Sequence, residues 1–404
     1  MKVSLQGVRH AGLMAAASGL VRAPWCPRSP HLRGSIFSAL SRRAGSGPCL
    51  SASPTALEPT PADASGIAGG TGSTLLVGSQ QDAASRAMIS ALLARGDWVE
   101  TSPGVEKDGT RNGKAYRHQT SPTSLWSVKG GLLDLDDADR RWASAARGLT
   151  DEQQQQQSEP LTLPSDVVFL SRHVAKSGVP ALCVHPIGVP NPSSSTAAGG
   201  KAGRCPPPSP RLAGCLRELG RATREAGLES SFDVTLEVTH HGPWLETPAM
   251  FIEIGSSEEN WGRADAADVW ADVLTRMLGL DGSPAGDTNW VDLSPSARAE
   301  KAAFVCIGGG HYAPKPGDLA RRSGSYVGHM LASYVLDFGN DGWRSAVSEA
   351  VRSTRAGFPG AGGGFKGGVG ALVDKKAFRS RDRAALLEHL ETLGVEHRFK
   401  SSEC

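Results

Sequence analysis

Five of the chain's eleven histidines follow apolar runs that read as β-strands. His173 follows "VVFLSR", His185 follows "ALCV", His240 and His241 follow "VTLEVT", and His311 follows "FVCIGGG". Two carboxylates share that setting, Glu237 inside "VTLEVT" and Glu253 inside "FIEIG". A carboxylate in an apolar strand is costly to bury unless a cation or metal pairs with it. Imidazole and carboxylate together suit zinc, and the same groups move protons near neutral pH. The candidate metal ligands are therefore His185, His240, His241 and His311. The candidate catalytic groups are His311, His241 and Glu253, with His173 next in line. There is no H-E-x-x-H, so no metalloprotease helix is indicated. A hydrogen-bonded structural role fits any one of these histidines taken alone, and spacing leaves that role and a metal site both open. His240 and His241 alternate faces, so only one of them enters a site while the strand stays regular.

The stretch "CIGGGHYAPKPGD" (306–318) adds a bare backbone next to His311. It lacks the G-x-x-x-x-G-K-[ST] of a phosphate loop and the G-x-G-x-x-G that opens a helix. Pro314 and Pro316 are expected to stop a helix there. What remains is either a tight turn that needs positive φ, or a surface that lets a ligand approach closely. On the second reading Gly308, Gly309, Gly310, Tyr312 and Lys315 form the candidate substrate-binding set, with glycine N–H groups as donors.

These residues need elements to hold them. The sequence predicts strands at "TLLV", "SDVVFLSRH", "PALCVHPIG", "FDVTLEVTHHGP", "MFIEIG" and "KAAFVCIGGGHYAP". Helices are predicted at 83–96, "RLAGCLRELGRATREAG", "ENWGRADAADVWADVLTRMLGL", "YVGHMLASYVL" and "SRDRAALLEHLETLG". Strands alternating with helices predict an α/β fold, a single domain (74–400) with a mostly parallel sheet flanked by helices. In open sheets of this kind sites form beyond the carboxyl ends of the strands. Polar, Gly/Pro/Ser-rich or glutamine-rich tracts near 103–115, 136–165, 189–210 and 355–369 read as low-complexity insertions.

Residues 1–57 contain seven Lys or Arg and no acid, so residues 1–73 read as a disordered, transit-like leader. A chloroplast or mitochondrial destination is expected, with the cytoplasm as the alternative. Removing those seven charges from the net +2 leaves the remainder near −5. That balance excludes a broad polyanion-binding face, so nucleic-acid contact would be local. No apolar run approaches membrane-spanning length. The seven cysteines include no C-x-x-C pair, which argues against a cysteine-ligated zinc.

Taken together, "SRHVAKSGVPALCVH", "LEVTHHGP", "FIEIGSSEENW" and "VCIGGGHYAP", in this order, resemble the archaeal and plant type of D-aminoacyl-tRNA deacylase. "VGSQQDAASRAMISALL" and "LVDKKAFRSRDRAALLEHLETLG" resemble its two ends, so the likeness spans about residues 74–397. The resemblance implies hydrolysis of the ester that joins a D-amino acid, notably D-tyrosine, to the 3′-terminal ribose of tRNA. Aldehyde-modified D-aminoacyl-tRNA is included. It also implies zinc, up to two ions per chain, a fold similar to peptidyl-tRNA hydrolase and purine nucleoside phosphorylase, and a monomer whose partner is the acceptor end of tRNA. This sequence departs from the family at "PIGVPNPSSS" after His185 and at "PKPGD" after Ala313. A metal-free nucleoside phosphorylase-like or peptidyl-tRNA hydrolase-like α/β enzyme is the competing class. It predicts activity that survives chelation.

Overall fold

A computed structural model of the chain describes residues 72–101, 113–147, 160–285, 290, 293–322 and 324–404. The leader read at 1–73 lies outside these residues save for its last two, as do most of the tract at 103–115 and the glutamine run within 136–165. The strands are β1 (Thr74–Ser79), β2 (Trp98–Thr101), β3 (Lys114–His118), β4 (Thr123–Val128), β5 (Asp166–Arg172), β6 (Ala181–Pro186), β7 (Asp233–Leu236), β8 (Ala249–Gly255), β9 (Ala303–Ile307), β10 (Tyr326–Leu331), β11 (Val369–Val373) and β12 (His397–Arg398). The α-helices are α1 (Ala83–Leu93), α2 (Ala138–Ala146), α3 (Leu212–Glu225), α4 (Glu258–Trp261), α5 (Ala264–Leu278), α6 (Pro295–Ala299), α7 (Pro314–Ala320), α8 (Gly342–Gly357) and α9 (Ser380–Thr392).

The fold is α/β with mostly parallel sheets flanked by helices, but there are two sheets rather than the one expected. Eight strands run in the order β2-β3-β4-β1-β5-β8-β6-β7, and four in the order β10-β9-β11-β12. All pairings in the smaller sheet are parallel. In the larger sheet β2–β3, β3–β4 and β6–β8 are antiparallel.

Alternation of side chains along the strands sends successive residues to opposite faces. Leu76, Val168, Leu170, Leu182, Val184, Met250 and Ile252 bury against α1, α3 and α5. Leu75, Val77, Val167, Phe169 and Phe251 form a separate cluster on the other face. In the smaller sheet Val305, Ile307, Ala371 and Val373 pack on α8 and α9. The helix spacing read in the sequence is seen in α3, whose Leu212, Leu216 and Leu219 are all buried. At the start of α1 the Asp82 carboxylate accepts the Ser85 N–H at 3.0 Å, which satisfies one of the unpaired donors of the first turn.

Three expectations are corrected. The "YVGHML" half of the predicted helix is β10, buried along its whole length and paired with β9. A short apolar run has no periodicity that separates strand from helix, so its neighbours decide. Pro314 begins α7 instead of preventing it. A proline in the first turn lacks only an N–H that would have had no helical partner. The described parts of the tracts read as insertions are built into the fold. Residues 138–146 form α2, and α8 extends to Gly357 with Phe358 buried behind it. Within 189–210, Val189 and Arg204 exchange backbone hydrogen bonds of 3.0 and 3.1 Å. Among the described residues, no helix is long and apolar enough to cross a membrane.

Candidate active site and metal centre

The larger sheet presents a row of polar side chains on one face. Ser171 of β5, Glu253 of β8 and Cys183 of β6 are in register, and one rank along, Phe169, Phe251 and His185 are in register. Alternation places His173, just past β5, on the same face. Because β6 runs antiparallel to β8, His185 stands beside Phe251 on the sheet's face and not beyond a carboxyl edge. Its ring stacks on Phe251 with centroids 5.2 Å apart.

The rest of the cluster comes from the junction of the two sheets. Beyond β7 the chain leaves regular pairing. The Glu237 N–H donates to the Val184 carbonyl at 3.0 Å, and the Val238 N–H donates to the His311 carbonyl at 3.0 Å. The Thr239 N–H donates to Met330 of β10 at 2.8 Å. This segment delivers Glu237, His240 and His241 to the end of β9, where His311 sits.

All the histidines and carboxylates singled out in the sequence therefore converge. His173 Nδ1 lies 3.3 Å from both Glu237 Oε1 and Glu253 Oε2. His185 Nε2 is 3.7 Å from Glu253 Oε1, His240 Nε2 is 3.8 Å from Glu237 Oε2, and His311 Nε2 is 3.4 Å from Glu237 Oε2. The His185 ring lies 4.1 Å from the His240 ring and 4.8 Å from the His241 ring. His240 and His241 both face the cluster, contrary to the alternation expected of a strand. The strand has already ended, and His241 adopts φ 40°. The turn is held from outside: a Cβ on Gly242 would meet the Gly200 nitrogen at 2.1 Å, so the 189–210 tract shapes the site.

The hydrogen bonds fit the donor set to a metal. His185, His240 and His241 each donate through Nδ1 to a backbone carbonyl, of Pro186 at 3.1 Å, Val238 at 2.8 Å and Gly242 at 2.8 Å. Since a carbonyl can only accept, the proton sits on Nδ1, and in the neutral ring Nε2 carries the lone pair. That is how metal-ligating imidazoles are oriented. Ligand atoms of these three residues lie within 4.8 Å of one another, and a second such group is Glu237, His240 and His311. His185 Nε2 and both Glu237 carboxylate oxygens are buried without a hydrogen-bond partner, a costly state that a bound cation would relieve. Burial and the neighbouring imidazoles hold His240 well below its ordinary pKa, and burial holds His241 at about 4. Both rings are therefore neutral, as ligands must be. Burial opposes ionisation of Glu253, yet His173 and His185 bring it down to about 2; in turn burial disfavours a charged His185, but Glu253 and Glu237 outweigh it and raise that ring's pKa, so a cation at its Nε2 would have to displace a proton. Burial likewise disfavours a charged His173, but Glu253 and Glu237 outweigh it and raise this ring's pKa.

A cavity of about 560 Å³ opens onto the cluster, with His173, His240, His241, Glu253 and His311 in its wall and Asp82, Asp134 and Arg172 among its other lining residues. His311 is the exposed member of the cluster, with 37% of its side chain accessible. The Tyr334 hydroxyl holds its Nδ1 at 3.3 Å. Gly308, Gly309, Gly310, Tyr312 and Lys315 do not line this cavity; they line a second one beside it. Two of the three glycine donors are already used, by the Leu331 carbonyl at 2.7 Å and Ser333 Oγ at 3.0 Å, so they are not free for a ligand. Two central residues are underweighted by the sequence, Glu237 outside the candidate sets and His173 only next in line. Glu237 had a usable signal as an acid inside "VTLEVT". His173 had the same strand-end position as the histidines that were chosen.

Buried carboxylates and imidazoles at the mouth of a cavity, on an α/β scaffold, supply metal ligands and proton-transfer groups in one place. Comparison with known proteins narrows the class. The family model for D-aminoacyl-tRNA deacylase matches residues 162–398. A D-aminoacyl-tRNA deacylase of Arabidopsis thaliana is 34% identical over 78% of this chain and 95% of its own length. One from Aeropyrum pernix is 32% identical over 57% of this chain and 75% of its own. A crystal structure of a conserved protein of unknown function shares the fold, with a TM-score of 0.62, 24% identity, and coverage of 82% of this chain and 96% of that one. The chain belongs to the D-aminoacyl-tRNA deacylase family, hydrolases of the aminoacyl-tRNA ester bond.

Proposed function

We propose that the His–Glu cluster is the hydrolytic centre for D-aminoacyl-tRNA, D-tyrosyl-tRNA among its substrates, and that it works with zinc. The observation that carries this reading is the trio His185, His240 and His241, each with Nδ1 tied to a carbonyl and Nε2 aimed inward. These three would hold one ion, with His311 and Glu237 beside it and outside its ligand set. Bound zinc would supply a nucleophilic water at neutral pH and polarise the ester carbonyl.

The chain's own residues do the rest. Glu253 and Glu237 hold His173 in place, each 3.3 Å from its Nδ1. His311, exposed at the cavity mouth with Glu237 behind Nε2 and Tyr334 on Nδ1, takes the proton of the attacking water. It returns that proton to the departing ribose oxygen, so the ester yields free tRNA and D-amino acid. Gly308, Gly309, Gly310, Tyr312 and Lys315 contact the RNA end of the substrate. The basic, acid-free leader supports delivery to an organelle.

The test is hydrolysis of D-tyrosyl-tRNA against L-tyrosyl-tRNA, with and without a chelator. Selective D-hydrolysis that is lost on chelation and restored by zinc is expected. Equal rates on the two substrates would sink the assignment, and activity that survives complete metal removal would sink the zinc-assisted centre.

A further inference from the structure

The second cavity, about 240 Å³, opens where β9 and β11 end side by side. A crevice beyond the carboxyl ends of parallel strands is the usual ligand position in open α/β sheets. Its volume falls below the ~300–1,000 Å³ of a pocket that takes a whole drug-sized ligand. It therefore suits one fragment of a larger molecule.

Three observations identify the fragment. The first is Gly310. Gly308 and Gly309 need their positive φ of 108° and 91°, and a Cβ on Gly308 would also crowd Ala377 and Phe378. Gly310 has neither constraint: its φ lies outside the left-handed region, and a Cβ there would meet no atom within 4 Å. Nothing among the described residues requires this position to be bare, whereas a flat group lying on the peptide would.

The second observation is Asp374, immediately after β11. Its Oδ1 accepts from Lys315 Nζ at 2.6 Å and from the Lys376 N–H at 3.1 Å. Its Oδ2 has no hydrogen-bond partner among the described residues. An ammonium has three donors, so Lys315 also has capacity to spare. A free acceptor beside a cation matches sugar hydroxyls next to a phosphate. The third observation is Tyr312, which lines this cavity while its hydroxyl hydrogen-bonds His173 Nε2, a wall of the first cavity, at 3.1 Å. The two cavities stand one side chain apart.

We propose that the second cavity is a nucleoside subsite: Asp374 accepts from the ribose of the nucleotide that carries the ester, Lys315 faces its phosphate, and the base lies on Gly310. The inference rests on the D-aminoacyl-tRNA reading and assigns the recognition of the terminal nucleotide to residues outside the His–Glu cluster. The same chemistry would accept a free nucleotide, so the probe is adenosine 5′-monophosphate.

It is expected to bind the full chain, seen as saturation transfer to its base and ribose protons, and to inhibit D-tyrosyl-tRNA hydrolysis competitively. Asp374→Asn and Gly310→Val are each expected to weaken nucleotide binding and raise KM for D-tyrosyl-tRNA by roughly tenfold or more, the scale of one hydrogen bond to a charged group. Metal content and melting temperature should stay at the wild-type values. Gly310→Val keeps the test open if Asp374→Asn folds poorly, since its side chain meets only open space. Unchanged KM and unchanged nucleotide binding in Gly310→Val would overturn the proposal. So would non-competitive inhibition, which would mark a separate site for free nucleotide. If the wild-type protein binds the nucleotide but fails to hydrolyse D-tyrosyl-tRNA, the deacylase reading falls and the RNA assignment with it. Hydrolysis without nucleotide binding overturns the subsite alone.

Discussion

His240, His241 and His185 differ from His311 in one respect that decides their roles. The first three have Nδ1 fixed by carbonyls of their own chain segment, so their Nε2 atoms are aimed before anything binds. His311 is exposed, and its Nδ1 partner is a tyrosine hydroxyl that can donate or accept. It can therefore change protonation without breaking a backbone contact. His241→Ala is expected to lower the zinc content of the purified protein together with its activity. His311→Gln is expected to keep the zinc and lose roughly 10²–10⁴ in kcat, the usual share of a general acid–base group, with KM little changed. Metal analysis and steady-state kinetics on both variants check this. A His311→Gln protein with wild-type kcat would remove His311 from proton transfer.

At the scale of elements, the histidine-bearing segment is held by a second, buried histidine. His329 of β10 donates through Nε2 to the Pro206 carbonyl at 3.0 Å and receives the Thr239 hydroxyl at Nδ1, also at 3.0 Å; that hydroxyl accepts the Met330 N–H at 2.9 Å. The clamp ties β10, the 189–210 tract and the residue before His240 together, and it works only with a neutral ring. Burial depresses the His329 pKa to about 4, whereas the unfolded chain takes up its proton near 6.5. Between those values the unfolded state binds more protons, so the contribution is intact above about pH 6.5 and is lost as pH falls towards 4. The stability lost over that pH range amounts to about 3 kcal/mol. His329→Gln is expected to be less stable at pH 7 and to show a flatter loss of stability between pH 6.5 and 4, measured by denaturant unfolding across that range. An unchanged slope would contradict the clamp.

The same segment shows what was legible in the sequence. The strands carrying His173, His185, Glu253 and His311 were readable because apolar runs and strand ends are local signals. That both His240 and His241 face inward was not, because the left-handed turn at His241 depends on Gly242 packing against Gly200, some forty residues away. The tract around Gly200 looked like low complexity because its glycines and prolines serve close packing and not a periodic face. The helix expected at 326–336 failed for the same reason: its partner β9, not its own pattern, makes it a strand.

Over the whole molecule, the residues of the cluster join parts that the backbone connects only indirectly. His185 and Glu253 belong to the eight-stranded sheet, His311 to the end of the four-stranded one, and Glu237, His240 and His241 to the segment between them. A cation held by this set would bind the folded arrangement and not the unfolded chain, so it would stabilise the junction of the sheets directly. Without one, Glu237 keeps two buried carboxylate oxygens with no hydrogen-bond partner, and the imidazoles crowd one another. Removing zinc is therefore expected to lower the melting temperature by about 4 °C, if the ion had been present at ~100 times its Kd. Glu237→Gln, which removes the buried charge, should shrink that difference by making the metal-free protein more tolerant of its own site. Hydrogen exchange locates the effect: on chelation, amides of 237–241 and 308–312 should lose protection together, while those of α9, packed on the far face of the smaller sheet, stay protected. Loss of protection spread evenly over both sheets would mean that the cluster does not staple them.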